Sequence, residues 1–488
     1  MRFVITGCFV ATLAACSNDS PNTCAVSCVQ DIDCLNGQTC GELGRCTDGD
    51  LCTAGTCAAD SFLGCTDSET ARFCNASGDG IASQSCGMVG CNATQGHCNE
   101  CVAEQTSCKS RDMLDTCGAD GLVASTEACA LGCLDAVEGG AARCEHITPV
   151  WIPSACDAPA TQASLDLAST TSLDSDLDAT CTGGVIPQPS GPAICVVRYG
   201  SIRVGADVSV TGARAIAFVA DRELEVSGLL DVSANGSTSG AGHEPISSGS
   251  APTANGGGGG AGFKQVGGFG GGDEFGNGSG VGGAIVDPLG THFAGGSAST
   301  RGSGGTPRPG SGGGGGALLL VSCLATVTVS GTIDAGGGGG GGGTDTSTLI
   351  AGTTLVGGAG GGAGGYVVVQ AVQVAVTGSL YANGGGGGGG CSTDNCVGAR
   401  GQDAAAGAAG GVGGLGAGTG TSGGAGGIGT TSPQNGTSDG TSISRGGGGG
   451  ATGRLQVYVP DGVTPQLTPI NVQPPFEPTL VVAVRLSP

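Results

Sequence analysis

The sequence is poor in aromatic residues, in lysine and in charged residues generally. Of its 488 residues, 3% are aromatic and 12% are charged, and lysine occurs only at Lys109 and Lys264. So few aromatic side chains cannot fill one ordinary globular core of this length. With 40 acidic against 17 basic residues the formal net charge is −23, which argues against a phosphate-binding surface, so we expect no nucleic-acid partner.

Long apolar runs are missing as well. The run from Phe3 to Ala15 follows a basic residue and ends on small side chains, which is the layout of a secretory signal. It is shorter than the roughly 20 residues that a transmembrane helix needs. Its last residues, with Cys16, read LAAC and resemble the lipobox of bacterial lipoproteins. We expect residues 1–15 to be removed and Cys16 to be lipidated; the alternative is an ordinary signal peptide with a nearby cysteine.

Motifs for catalysis and for metal binding are also missing. The chain has four histidines: His97, His146, His243 and His292. None has HExxH or paired spacing, and the single CxxC, from Cys98 to Cys101, is too little for paired zinc knuckles. Glycine runs match GxGxxG trivially, without the strand–helix context that phosphate binding requires. We therefore expect no enzyme, no cofactor and no metal; carboxylates such as Asp231 and Asp334 that converge in space are the alternative left open.

Cysteine is abundant instead. Without Cys8 in the signal and Cys16 under lipid, the 26 cysteines leave an even number, which permits complete pairing. In an exported chain, cysteines at regular spacings indicate a disulfide framework. Two series of cysteines correspond in order, which predicts two copies of a module of about 43 residues. The series are Cys65, Cys74, Cys86, Cys91 and Cys98, and Cys108, Cys117, Cys129, Cys133 and Cys144.

Proximity in the chain predicts two further disulfides, Cys181–Cys195 and Cys391–Cys396, and leaves Cys323 without an obvious mate. Composition divides the chain near residue 196. The predicted parts are a signal over 1–15, a cysteine-rich module over 16–60, two tandem repeats over 61–146, a disulfide-bonded connector over 147–195 and a glycine-rich domain over 196–488.

The glycine-rich part contains a repeat of β type. Residues 214–236, 317–337 and 366–385 align when one glycine of each block is placed in register. Apolar and polar residues then alternate with period two, which indicates strands that bury one side. Strips of this kind bury their apolar faces on one another, as in a β-solenoid. The predicted fold is therefore all-β, with disulfide-rich modules followed by a glycine-rich parallel β-helix; the alternative is a β-sandwich with disordered glycine-rich insertions.

Runs of glycine separate the β blocks. They occupy 256–260, 312–316, 336–343, 384–390 and 446–450. Because glycine is entropically costly to order, we expect flexible linkers. The alternative rests on a glycine at every third position from Gly407 to Gly416 and again from Gly420 to Gly429, a spacing that suits closely packed helices of the polyproline II type.

The lipobox, the cysteine modules and blocks such as VTVSGTIDAGGGGGGGG together resemble the cysteine- and glycine-rich surface lipoproteins of myxobacteria and their relatives, often given PE-PGRS-like names. The resemblance covers most of the chain, but its motifs are compositional and not catalytic. It implies an outer-membrane location at the cell surface and carries over no activity.

We therefore expect a surface or envelope lipoprotein with a structural or adhesive role, held to the membrane by its lipid and facing a glycan or another cell. The alternative is a carbohydrate-binding or carbohydrate-cleaving β-helix. Its glycan face would be the polar side of one rung: Thr326, Thr328, Thr332 and Asp334. A third possibility is templating of ice or mineral by flat threonine and glycine faces.

Overall fold

The computed structural model describes most of the chain after residue 58. It describes the backbone of 39–40 and 46–47, and the following longer ranges: 59–77, 81–94, 96–135, 141–244, 249–253, 256–272, 278–286, 292–304, 308–345, 355–393, 395–404, 409–438 and 444–485. The signal, Cys16 and Gly407 lie outside the described residues. The chain divides into two compact units: unit 1 comprises 1–128 and 133–143, and unit 2 comprises 129–132 and 144–488.

The described part of unit 1 is built from short strands and the 3-10 helix Gly87–Val89. The strands up to the start of the connector are β1 (Thr39–Cys40), β2 (Cys46–Thr47), β3 (Phe62–Asp67), β4 (Thr70–Cys74), β5 (Ile81–Ser85), β6 (Cys91–Asn92), β7 (His97–Cys98), β8 (Thr106–Ser110), β9 (Met113–Cys117), β10 (Val123–Ala128), β11 (Cys133–Leu134) and β12 (Arg143–Cys144). Strands β3, β4 and β5 form one antiparallel sheet, and β8, β9 and β10 form another.

Equivalent cysteines of the predicted repeat make equivalent disulfides. Four bonds occupy corresponding places in the two copies: Cys65–Cys91, Cys86–Cys98, Cys108–Cys133 and Cys129–Cys144. The last of these lies in unit 2. Cys101–Cys117 adds a further bond in unit 1. Because the modules contain little aliphatic material, these bonds take the place of a hydrophobic core.

Unit 2 contains the longer strands. They are β13 (His146–Thr148), β14 (Ser164–Leu167), β15 (Thr171–Asp174), β16 (Val185–Ile186), β17 (Ile194–Tyr199), β18 (Ser201–Val204), β19 (Val208–Thr211), β20 (Ala215–Ala220), β21 (Leu224–Val226), β22 (Leu229–Asp231), β23 (Ala317–Val329), β24 (Thr332–Asp334), β25 (Tyr366–Val376), β26 (Ser379–Tyr381), β27 (Arg454–Val459), β28 (Gln466–Leu467), β29 (Asn471–Gln473), β30 (Leu480–Val481) and β31 (Ala483–Arg485).

Most of these strands stack in three parallel ladders. Ladder A runs through β17, β20, the first halves of β23 and β25, then β27 and β30. Ladder B runs through β14, β18, β21, the second halves of β23 and β25, and β28. Ladder C runs through β15, β19, β22, β24, β26 and β29. Each pass of the chain adds one strand to each ladder in sequence order, so the fold is all-β with extensive parallel pairing.

The inward faces of the ladders form one core. The alternation read from sequence places the same side chains inward, and they are buried: Leu224, Val226, Leu230, Val232, Val327, Val329, Ile333, Ala335, Val374, Val376, Leu380 and Ala382. The sequence predicts strands that bury one face only, and ladder A differs because both of its faces are buried. Its strands are mostly apolar, β20 throughout, and they bury their second face in another core, against Ile147, Ile152, Phe263 and Phe293.

The glycine runs are ordered segments, contrary to the flexible linkers expected from composition. All five runs are buried over most of their length. Their backbones bond at three-residue intervals: the N–H groups of Gly337, Gly340 and Gly343 donate to residues 383, 386 and 389. Three residues per turn is the repeat of a polyproline II helix, which has no internal hydrogen bonds and so offers its backbone to neighbours. We call these packed segments between residues 256 and 453 the glycine bundle.

The run Gly384–Gly390 lies at the centre of the glycine bundle. Gly384 and Gly387 donate to residues 427 and 424, Gly385 donates to Gly362, and Gly386 donates to Gln402. Three other segments donate back to carbonyls of the run, through residues 340, 411 and 450. Successive residues therefore face different neighbours. A Cβ at most of these positions would overlap a neighbouring carbonyl, which is why the sequence is glycine.

Cys323 has a mate in the structure, contrary to the sequence-based expectation. It pairs with Cys156, 167 residues earlier, at a Cα–Cα distance of 5.6 Å. The bond joins the connector to ladder A across the second core. Proximity in sequence does not reveal it, because the chain passes through ladders B and C before returning.

Candidate functional site

The predicted glycan face lies on the outer surfaces of ladders B and C. Thr328 belongs to an outward row of ladder B that starts at Asp166 and continues through Arg203 and Glu225. Thr326, Thr328 and Thr332 are half-buried. Arg203 lies 3.5 Å from Glu225 and 3.9 Å from Asp166, so the charged end of this row is internally paired.

Asp334 does not face solvent as the sequence predicts; it is 6% exposed. It lies where ladder C passes into the glycine bundle, and Ala404 bonds to Gly337 beside it. Its carboxylate accepts a hydrogen bond from the N–H of Gly336 at 2.8 Å. Burial, with a smaller contribution from Asp231, raises the pKa of Asp334 to about 7.

Asp231 and Asp334 are partners in the register of ladder C. They are the two carboxylates whose approach in space the sequence left open as an alternative. Tyr381 continues the row on the next strand and is buried as well. Because Asp334 is buried and Asp231 is bonded to the N–H of Ser233 at 2.8 Å, the two carboxylates do not form an open acid–base site of the glycosidase kind.

A groove on the glycine bundle was not found by sequence reasoning. It has a volume of about 530 Å³ and is lined by several glycines and by the following larger residues: Arg308, Pro309, Thr344, Val397 and Arg400. Arg400 contacts Asp403 at 2.7 Å, and Asp403 also accepts a hydrogen bond from Gly339 at 2.7 Å. Arginine is the side chain best suited to planar carboxylate or sulfate groups.

Exposed apolar side chains recur at three-residue spacing on the same side of the bundle. Val412 and Leu415 are exposed, Leu415 to 71%, and Val397 lies on the adjacent segment. The segments are adjacent because Ala399 donates to the carbonyl of Leu415 at 2.8 Å. This spacing follows from a helix with three residues per turn, and sequence inspection missed it because the runs were taken as linkers.

The two disulfides predicted from proximity are present in the structure. Cys181 and Cys195 have a Cα–Cα distance of 4.9 Å, and Cys391 and Cys396 one of 5.8 Å. The first ties the connector to ladder A. The second closes a turn between two segments of the glycine bundle, so both bonds are structural.

The described residues hold neither a grouping of metal-ligating side chains nor a membrane-spanning helix. Among them, no three His, Cys, Asp or Glu side chains are grouped so that they could hold a metal ion. Within the same part of the chain, no helix has the length and apolarity needed to cross a membrane.

A comparison with known proteins finds no family model, no curated protein and no solved structure that matches the chain. What bears on function is therefore the geometry of unit 2 and the cysteine pattern. On the glycine bundle, the groove beside Arg308 and Arg400 and the exposed apolar rows next to it are the surfaces suited to contact with a ligand.

Proposed function

We propose that the chain is an exported lipoprotein of the cell envelope with a structural or adhesive role, anchored through Cys16. Disulfides support export, because such bonds persist in oxidising compartments. Unit 1 would then be a spacer next to the membrane. Unit 2 would be a β-solenoid, since its ladders gain one strand per pass of the chain, and it would display the glycine bundle outward.

The observation that carries this proposal is the backbone packing of the glycine bundle. A buried interior made of glycine has no room for a substrate, whereas its outer layer holds side chains at fixed intervals. A rigid array of exposed Val397, Val412 and Leu415 suits repeated weak contacts with another surface.

The anchoring is tested by protease digestion of intact producing cells that express the wild type, Cys16→Ala or Cys8→Ala. We expect surface-accessible wild-type protein, release of Cys16→Ala into the medium or periplasm, and unchanged anchoring of Cys8→Ala, whose cysteine lies in the removed signal. Wild-type protein that is soluble in the periplasm would contradict the proposal.

A carbohydrate-binding role is the second candidate, and the groove beside Arg308 favours it. The exposed guanidinium of Arg308, next to the Asp403-paired guanidinium of Arg400, suits the acidic groups of a polysaccharide. This place differs from the threonine face predicted from sequence. A glycan array tests this with the wild type, Arg308→Ala and Thr328→Ala. We expect binding to carboxylated or sulfated glycans that Arg308→Ala weakens and Thr328→Ala keeps; loss with Thr328→Ala alone would move the site to ladder B.

A further inference from the structure

Three polar side chains from distant parts of unit 2 form a connected chain of hydrogen bonds. Ser190 Oγ lies 3.2 Å from Nδ1 of His292, and Nε2 of His292 lies 2.7 Å from Oε2 of Glu244. The sequence separations are 102 and 48 residues. The sequence around His292 carries no catalytic motif, so the spacing of the histidines did not point to it.

The three groups become more exposed in the order Glu244, His292 and Ser190. The side chain of Glu244 is 7% exposed and that of His292 is 13% exposed, whereas Ser190 lies exposed in the turn between β16 and β17. A buried carboxylate that accepts from Nε2–H keeps the proton on that nitrogen, so Nδ1 is left as an acceptor for the serine hydroxyl. This is the order of groups that activates a hydroxyl nucleophile.

The turn that carries Ser190 is fixed against the segment that carries His292. The side-chain amide of Gln188 donates to the carbonyl of Phe293 at 2.8 Å and accepts from its N–H at 2.6 Å. Phe293 is fully buried against Tyr366, with ring centroids 5.3 Å apart. These contacts of Gln188 therefore fix the position of the serine relative to the imidazole.

Gly191 is required at the position after the serine. Its φ of +80° favours glycine, and a Cβ there would overlap the imidazole of His292. Within the described chain its N–H donates to no other group. An N–H that follows the nucleophile is one of the donors that stabilise an oxyanion in acyl transfer.

We propose that Ser190, His292 and Glu244 form a nucleophilic site for carboxylic esters. Ser190 Oγ attacks the ester carbonyl while its proton passes to Nδ1 of His292. The bond to the alcohol then breaks and the alcohol leaves with that proton. Water hydrolyses the acyl-serine by the same route, which releases the acid and restores the hydroxyl. The net charge of −23 favours uncharged or cationic esters over anionic ones.

This inference does not depend on the proposed envelope role. Its test is labelling of the full, disulfide-bonded chain with a fluorophosphonate probe, with the adduct located by peptide mass spectrometry. The probe forms a bond between Ser190 Oγ and phosphorus and releases fluoride. We expect an adduct on Ser190 in the wild type, no adduct at this position in Ser190→Ala, and labelling slower by roughly 10²-fold or more in His292→Gln and Glu244→Gln.

His97→Gln is the control histidine, because His97 belongs to unit 1 and the trio belongs to unit 2. It should label at the wild-type rate. Ser190→Ala changes an exposed residue and should fold, which melting curves verify. Two outcomes would overturn the proposal: no label at Ser190 in folded wild-type protein, or equal labelling of wild type and His292→Gln. The three side chains would then have a structural role only.

Discussion

The glycines of the central run, Gly384–Gly390, are selected by contact, not by conformational freedom. None of the residues from Gly384 to Gly390 has a positive φ, so any side chain is compatible with their backbone. What excludes other residues is the neighbouring chain, whose carbonyls lie where a Cβ would be. The order of each segment is therefore a property of its neighbours.

Gly387→Ala tests this packing. The added Cβ would overlap the carbonyl oxygen of Gly447, so segments must separate, and overpacking of this kind costs about 1–3 kcal/mol or more. We expect a lower free energy of unfolding by denaturant titration. Gly310→Ala is the control, because its Cβ would meet Ser237 at an ordinary 3.5 Å. Equal losses in the two variants would argue against the backbone packing.

The buried carboxyl of Asp334 gives stability a predictable pH dependence. Its pKa rises from 3.8 in the unfolded chain to about 7 in the folded one. The folded state therefore binds this proton more tightly, and stability is greatest below about pH 4 and falls as pH rises through 7. The loss of folding free energy is on the order of 1.4 kcal/mol for each unit by which the folded and unfolded pKa values differ.

Asp334→Asn removes the titratable carboxyl, and it keeps a side-chain oxygen that accepts from the N–H of Gly336. We expect the difference in unfolding free energy between pH 5 and pH 8 to shrink in the variant. Asp166→Asn, an exposed carboxyl on ladder B, should leave the difference as it is in the wild type. An unchanged pH profile in Asp334→Asn would indicate that the carboxyl is hydrated.

Strand alternation was readable from sequence where one face is buried, and not elsewhere. Leu224 and Val226 alternate with polar neighbours, so their inward side was predicted. In ladder A every residue from Ala215 to Ala220 is buried, and a continuous apolar run does not say what covers its second face. That cover comes from the connector and from Phe263 and Phe293, which are distant in sequence.

The chemical groups were harder to predict than the strands. Ser190, Glu244 and His292 lie in loops and carry no motif, and only the stacking of the chain brings them together. The groove beside Arg308 likewise depends on which glycine segments are neighbours, because its sides come from separate runs. Local spacing holds no information on either arrangement.

The Cys156–Cys323 bond should stabilise unit 2 more than the Cys391–Cys396 bond does. The first joins residues 167 apart and the second residues 5 apart, and the loss of unfolded-chain entropy grows with loop length. We expect the double Cys→Ser variant of the long-range pair to melt at a lower temperature than that of the short-range pair. The reverse order would indicate that strain or local packing outweighs the entropy.

The two units differ in what holds them together. Among the residues of unit 1 that the structure describes, the buried side chains are mainly cysteines, such as Cys86, Cys101 and Cys117, with few aliphatic residues. Unit 2 has two extensive apolar cores and the backbone-bonded glycine bundle. Folding of unit 1 should therefore depend on oxidation, and folding of unit 2 should depend on it much less.

Hydrogen exchange with and without a reductant tests this difference on the intact chain. After reduction we expect the amides of β4 and β9 to lose their protection, because their sheets are too small to persist alone. Amides of ladder A and of Gly384–Gly390 should keep slow exchange, since their hydrogen bonds lie in interiors that reduction leaves in place. Loss of protection throughout the glycine bundle on reduction would mean that disulfides, and not backbone packing, order the glycine runs.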